Sequence, residues 1–175
     1  MGKDALVPCT FIVLTLSMLA AGGAEIVVAR NGCEVTFPDS WTVDKHPDAN
    51  DAGGQLIIHA MNVVSSLGDN SSFKVHLIDH AAKDNDLRGF VDHQLINHYQ
   101  LNNSKLVERA KTKLGDVDAY KVTIGPPQAD KLVVYFILRG DKGYEIVVKP
   151  ARDIDEKTAK EIDAIVKSFK LIEAK

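Results

Sequence analysis

Six histidines and one row of cations are the residues of this chain whose types and spacing could do chemistry. His76 and His80 stand four apart in a stretch that alternates like a strand, so both imidazoles would share a face and could hold one metal ion. A zinc centre needs three or four ligands with outer hydrogen-bond support, and no cysteine pair or nearby glutamate joins these two. His93 and His98, five apart on an expected helix, face different ways and read as solvated. Residues 48–53 place Asp48, Asn50 and Gly53 at the first, third and sixth positions of a calcium loop, but the fifth is Ala52 and the twelfth is His59. A plain acidic turn is the expectation there.

Arg109, Lys111 and Lys113 alternate with Ala110, Thr112 and Leu114, so three cations project from one side of a strand, and Lys121 on the partner strand would extend the row. Such a row can dock an anionic partner, or it can protect an edge strand from pairing with other chains. There is no G-x-S-x-G, H-E-x-x-H, C-x-x-C, P-loop or G-x-G-x-x-G in the sequence. No catalytic residue and no cofactor is therefore expected. The formal charge of −3 gives no bulk attraction to nucleic acid or to an anionic membrane, whose binders carry a basic excess.

The elements that would position these residues centre on residues 131–171. Residues 132–138 are apolar on both parities, as in a strand covered on both faces. A second strand at 144–148 follows a four-residue loop at 140–143. Asp153 is placed to cap a helix with Glu156 at its third position, and Ile154, Ile162, Ile165, Val166 and Phe169 recur at helical spacing. Before this, Cys33, Val35 and Phe37 form a half-buried strand, closed by Pro38-Asp39-Ser40 into an edge hairpin with Trp41 and Val43. Residues 44–54 form a polar loop. Strands follow at 55–61 and 73–78, with Phe73, Val75 and Leu77 on one face and Lys74 and His76 on the other. The period then changes to helical over 86–101, through Leu87, Phe90, Val91 and Leu95. A second hairpin pairs 105–114 with 119–124 across residues 115–118, with Tyr120, Val122 and Ile124 inward. Strands, helix, four strands, helix is an α+β order, with an antiparallel β-sheet flanked by helices.

The first two dozen residues differ from the rest. Lys3 precedes an uncharged, strongly apolar run ending in small residues at 20–24, the layout of a secretory signal cleaved before Ala24 or Glu25. An uncleaved anchor is the alternative, since the run is about long enough to span a thin bilayer. Cys9 within the run and Leu6 after Gly2 do not fit lipidation signals. Removal of the signal leaves residues 25–175 as a single domain, in keeping with 45% hydrophobic and 26% charged residues. Cys33 is then alone, a small buried hydrophobe or the half of an intermolecular disulfide. Asn70 and Asn102 begin glycosylation sequons, which count only in a eukaryotic secretory pathway.

Three phrases carry a resemblance: Val35-Thr36-Phe37-Pro38-Asp39-Ser40-Trp41, Lys113-Leu114-Gly115-Asp116-Val117-Asp118-Ala119-Tyr120, and Val166-Lys167-Ser168-Phe169-Lys170-Leu171. With the order of elements from 33 to 171, they resemble the PsbP/DcrB-like superfamily. That family includes the extrinsic oxygen-evolving subunit of photosystem II, bacterial envelope proteins of the DcrB kind and Ran-binding Mog-type proteins. The resemblance implies an antiparallel sheet between helices, an α/β/α sandwich, and shares no catalytic motif, so no functional residue is carried over. The expected function is a non-catalytic accessory or binding module of the cell envelope, exported to the periplasm or outside the cell. It would contact a protein or anionic envelope partner through Arg109, Lys111 and Lys113, with no nucleic acid and with the membrane only transiently through the signal. The alternative is a small exported enzyme or ligand-binding protein with a dispersed site.

Overall fold

The computed structural model describes residues 16–17, 24–47, 50–51, 54–63, 69–79, 81, 86–99, 105–125 and 131–173. Strand β1 (Leu16–Ser17) pairs with β2 (Glu25–Arg30), which runs antiparallel to β3 (Cys33–Pro38). Asn31 and Gly32 make the connection at φ 46° and 83°, the left-handed pair that a two-residue I′ hairpin turn requires and that this dipeptide adopts most readily. After β3 the chain changes sheets. The Trp41 N–H donates to the Pro38 carbonyl at 3.0 Å, and β4 (Thr42–Val43) pairs with β6 (Gly54–Val63), as does β5 (Asn50–Asp51). The expected edge hairpin between 33–37 and Trp41–Val43 therefore does not form: the turn at Pro38 sends the two segments to different sheets, and β3 pairs with β2 instead.

The large sheet is antiparallel throughout, with β4, β6, β7 (Asn70–Ile78), β11 (Lys142–Lys149), β10 (Leu132–Arg139), β9 (Val117–Ile124) and β8 (Leu106–Leu114) in spatial order. The β8–β9 and β10–β11 connections are two-residue turns, Gly115–Asp116 and Gly140–Asp141, where longer loops are expected from sequence; pairing runs on to Leu114↔Val117 and Arg139↔Lys142. Helix α1 (Leu87–Gln94) carries the chain from β7 to the far edge, across the neighbouring strands, and lies on one face of the sheet. The expected helix over 86–101 is thus shorter as an α-helix: Asp86 caps it, accepting from the Gly89 N–H at 2.7 Å, and a π-helical turn at Leu95–Tyr99 ends its described part.

Helix α2 (Glu156–Ser168) covers the other face with the small sheet and runs into β12 (Lys170–Leu171), which pairs with β3. Its cap is Asp155, not Asp153. The Asp155 carboxylate accepts from the Thr158 N–H at 2.6 Å, a bond that holds its carboxyl below the ordinary value, while Asp153 is exposed ahead of the helix. The two faces carry separate cores. Phe73, Val75, Ile146 and Val148 meet Val35, Phe37, Ile165 and Phe169 on the α2 side, with Phe37 and Phe73 edge to face at 5.4 Å. Tyr120, Val122, Val134 and Phe136 meet Phe90, Val91 and Leu95 on the α1 side, with Phe90 and Phe136 edge to face at 5.9 Å. Residues 132–138 are thus covered from both sides, which is why they are apolar on both parities. Gly143 lets α1 close on the sheet: a Cβ there would enter the Phe90 ring and stand 2.9 Å from the Ala81 Cβ.

Cys33 is fully buried, and burial pushes its thiol up to about 12. At neutral pH it is a protonated small hydrophobe with its Sγ 3.2 Å from the Arg30 carbonyl, which leaves no route to an intermolecular disulfide in the folded chain. Iodoacetamide at pH 8 should leave the native thiol unmodified and label it fully in denaturant. Because the unfolded thiol ionises near 8.5 and the folded one near 12, the Cys33 contribution to stability is complete below about pH 8. It declines as pH rises from there towards the folded value, because only the unfolded state releases its proton over that range.

Candidate interaction surface on the edge strand

Strand β8 ends the large sheet, and among the described residues it pairs only with β9. The register places Lys111 opposite Tyr120 and Lys113 opposite Asp118, so Arg109, Lys111 and Lys113 share the face on which α1 lies, while Ala110 and Thr112 take the other. Lys121 stands opposite Ala110. It belongs to the opposite face and does not extend the row, because the two-residue turn sets the parity of β9 against β8.

The three cations are not equivalent. The Arg109 guanidinium donates to the Asp92 carboxylate of α1, lies 4.7 Å from the centre of the Tyr120 ring and reaches the Arg88 carbonyl at 3.5 Å. It clamps the helix to the sheet by charge and cation–π contact. Lys111 is exposed. Lys113 is also exposed, 3.5 Å from an Asp118 carboxylate that is itself 81% exposed, a pair too solvated to hold either side chain in place. Lys111 and Lys113 are thus presented at the open edge, and the remaining member of the row is engaged inside the fold.

Of the metal candidates, His80 lies outside the described residues. His76 is buried on β7, directly opposite Glu145 of β11 in the ladder. Glu145 is itself buried beneath the π-helical turn, where the Tyr99 hydroxyl donates to its Oε1. This polar contact beneath the α1 layer was not legible in sequence: the only sign was a glutamate inside the apolar run 144–148. Among the described residues no three of His, Cys, Asp and Glu converge as a metal ion would need. His59 on β6 is held below the ordinary imidazole value by burial and then by Lys74, against an opposing Asp44 carboxylate at 4.0 Å; His98 is lowered by burial and then by His93. Of the suggested calcium loop, residues 48, 49, 52 and 53 lie outside the described residues, as does Asn102. Asn70 is half-buried on β7, and the Ser71 hydroxyl beside it is fully buried, accepting from the Ala151 N–H at 2.9 Å.

A second constellation joins the distant phrases on which the family resemblance rests. Glu161 of α2 accepts at Oε2 from the Ser40 hydroxyl at 3.0 Å, the Trp41 indole N–H at 3.2 Å and the Asn62 amide at 3.3 Å, and its Oε1 lies 3.6 Å from Lys157. The Ser168 hydroxyl accepts from the Thr36 N–H at 2.9 Å, and Lys170 reaches Glu34 at 3.6 Å. These contacts fasten α2 and β12 to β3 and the turn that follows it. Sequence reading passed over Glu161, since a helix glutamate beside Lys157 looks like an ordinary surface pair.

Two surface depressions, of about 560 and 600 Å³, flank these layers. One lies along α2 beside Pro38, Lys157 and Glu161, and the other beside Asp116, Asp118 and Arg139. No helix among the described residues is long and apolar enough to cross a membrane.

Among the described residues, an eight-stranded antiparallel sheet, seven strands in line with β5 paired to β6 beside them, with a helix on one face and a helix and small sheet on the other, defines an α+β sandwich. No family model matches the chain, and no curated protein is similar to it in sequence. Solved structures are similar in fold. The solution structure of cyanobacterial PsbP (CyanoP) from Synechocystis sp. PCC 6803 superposes with a TM-score of 0.60 at 12% identity, over 98% of this chain and 98% of that one. A substituted form of the protein Mog1 superposes with a TM-score of 0.53 at 14% identity, over 86% of this chain and 97% of that one. The chain has a PsbP- and Mog1-like fold, the architecture that the sequence resemblance implies.

Proposed function

We propose that this chain is a non-catalytic binding module, exported after removal of residues 1–24, that docks an acidic partner on the open edge of its large sheet. The observation that carries the reading is the pair Lys111 and Lys113, exposed on a nine-residue edge strand of a chain whose net charge is −3. A local cationic row on an otherwise acidic molecule selects a partner by charge complementarity, which acts on encounter rate and specificity before it acts on affinity. Arg109 serves the row from beneath, by holding α1 against the strand that carries it.

The test is affinity capture from the native cell fraction with the parent chain and with the double variant Lys111→Ser, Lys113→Ser. Arg109 is kept, so that the α1 contact survives. The parent should retain a partner that the variant loses, and raising salt should weaken the contact, since exposed charges are screened over about 8 Å at physiological ionic strength. Equal retention by both chains would remove the basic edge from the reading. Turnover of a small substrate, lost on a single polar substitution, would replace the module with an enzyme. N-terminal sequencing of the exported form should begin at Ala24 or Glu25; retention of the apolar run would make it an anchor.

A further inference from the structure

We infer that β8 takes up an extended acidic segment of a partner protein as an additional strand, and that the segment is read by carboxylates at alternate positions. This rests on the reading of β8 as the contact surface and specifies its ligand. The other end of the large sheet is β4, two residues long, whereas β8 offers nine with pairing on one side only among the described residues. The register shifts between Leu106 and Glu108, so Val107 bulges and the regular edge runs over residues 108–114. Along it Lys111 and Lys113 point to one face, and on the other the half-buried Ala110 and Thr112 leave room between the exposed Glu108 and the buried Leu114. An added strand would set residues two apart directly opposite the two lysines, where carboxylates complement them. Its intervening residues would lie beside Ala110 and Thr112, where small or β-branched side chains fit.

Charge also decides against a second copy of this chain as the occupant. In an antiparallel β8–β8 pairing with fullest overlap of 108–114, Lys111 would stand opposite Lys111 and Lys113 opposite Arg109. Like charges directly opposite each other destabilise a ladder. A polyanion without a peptide backbone could use the lysines but would leave the edge N–H and C=O groups unpaired.

The experiment titrates the full chain with two peptides roughly eight residues long, each of equal numbers of Glu and Thr, one strictly alternating and one with its glutamates in a single block. The alternating peptide should bind about 2- to 30-fold more tightly and should slow amide exchange along β8. In a strand, alternate amides point to one edge, so of two alternating peptides N-methylated on opposite sets of amides, one should lose binding and the other keep it. Equal affinity for the alternating and block peptides, with both methylated forms retained, would overturn strand addition while leaving Lys111 and Lys113 as an acidic-partner surface. Binding of a sulfated polysaccharide in preference to either peptide, with no slowing of exchange in β8, would overturn it in favour of a non-peptide polyanion. Failure of both peptides, together with indifference of partner capture to the lysine substitutions, would remove this inference and the proposed function at once.

Discussion

Ile165→Ala is expected to lower the stability of the folded chain by about 2–5 kcal/mol, the range for truncating a fully buried aliphatic side chain that leaves a cavity behind. Ile165 is completely buried on the inner face of α2, in the core that also contains Val35, Phe37 and Phe169. That core is the junction of three elements, the helix, the small sheet and one face of the large sheet, so the surroundings have little freedom to collapse into the space. Urea denaturation of parent and variant measures the effect. Asp163→Ala serves as the comparison, because Asp163 is exposed on the same helix, where it pairs with Lys167 at 2.6 Å, and its loss should move stability by no more than about 0.5 kcal/mol. An unchanged midpoint for Ile165→Ala would contradict the packing of α2 described above.

Glu161→Ala should cost about 2–3 kcal/mol for a different reason. The carboxylate serves three donors from two other segments, and one of them is the indole N–H of Trp41, a side chain only 2% exposed. Removing the acceptor leaves that donor buried without its partner, and the penalty for an unmet buried donor exceeds the net value of the bond itself. Ser40 is exposed and can turn to water, so its share of the loss is small. Glu161→Gln keeps an acceptor in place and should cost about 1 kcal/mol. Trp41 is the sole tryptophan, so its emission reports the site directly during denaturation. A Glu161→Ala protein with the parent midpoint and parent emission would show that the three contacts contribute nothing.

Much of the fold was legible because each layer leaves a period in the residues it covers. Residues 132–138, sandwiched between two cores, are apolar throughout; Phe73, Val75 and Leu77, with the α2 side on one face only, alternate. The strand β2 is not apparent in the sequence because its apolar residues adjoin the apolar run of residues 5–24 and merge with it, although Asn31-Gly32 between two β-rich runs is a strong hairpin signal. The cap of α2 lies two residues beyond the expected one, since Asp153 and Asp155 are both competent caps and their residue type does not separate them. At the edge strand the parity of Arg109, Lys111 and Lys113 was readable from alternation. The tether from Arg109 to Asp92 was not, because it depends on where α1 lands. Glu145 presents the same difficulty: alternation cannot separate a glutamate facing water from one roofed by Tyr99, a residue 46 positions away in the chain.

The pairing of β12 with β3 also bears on when this molecule can fold. Leu171 meets Cys33 and Lys170 meets Glu34, so the small sheet joins residues near the beginning of the sequence to residues near its end. Contacts of such long sequence separation form late and slowly, and none of them exists while the later residues are still being synthesised. The covering of the α2-side core is therefore withheld until residues 156–171 have emerged, because α2 and β12 supply part of that layer. Until then the chain can close its α1-side core, whose buried residues run only from Ala81 to Phe136, while the α2-side core stays incompletely covered.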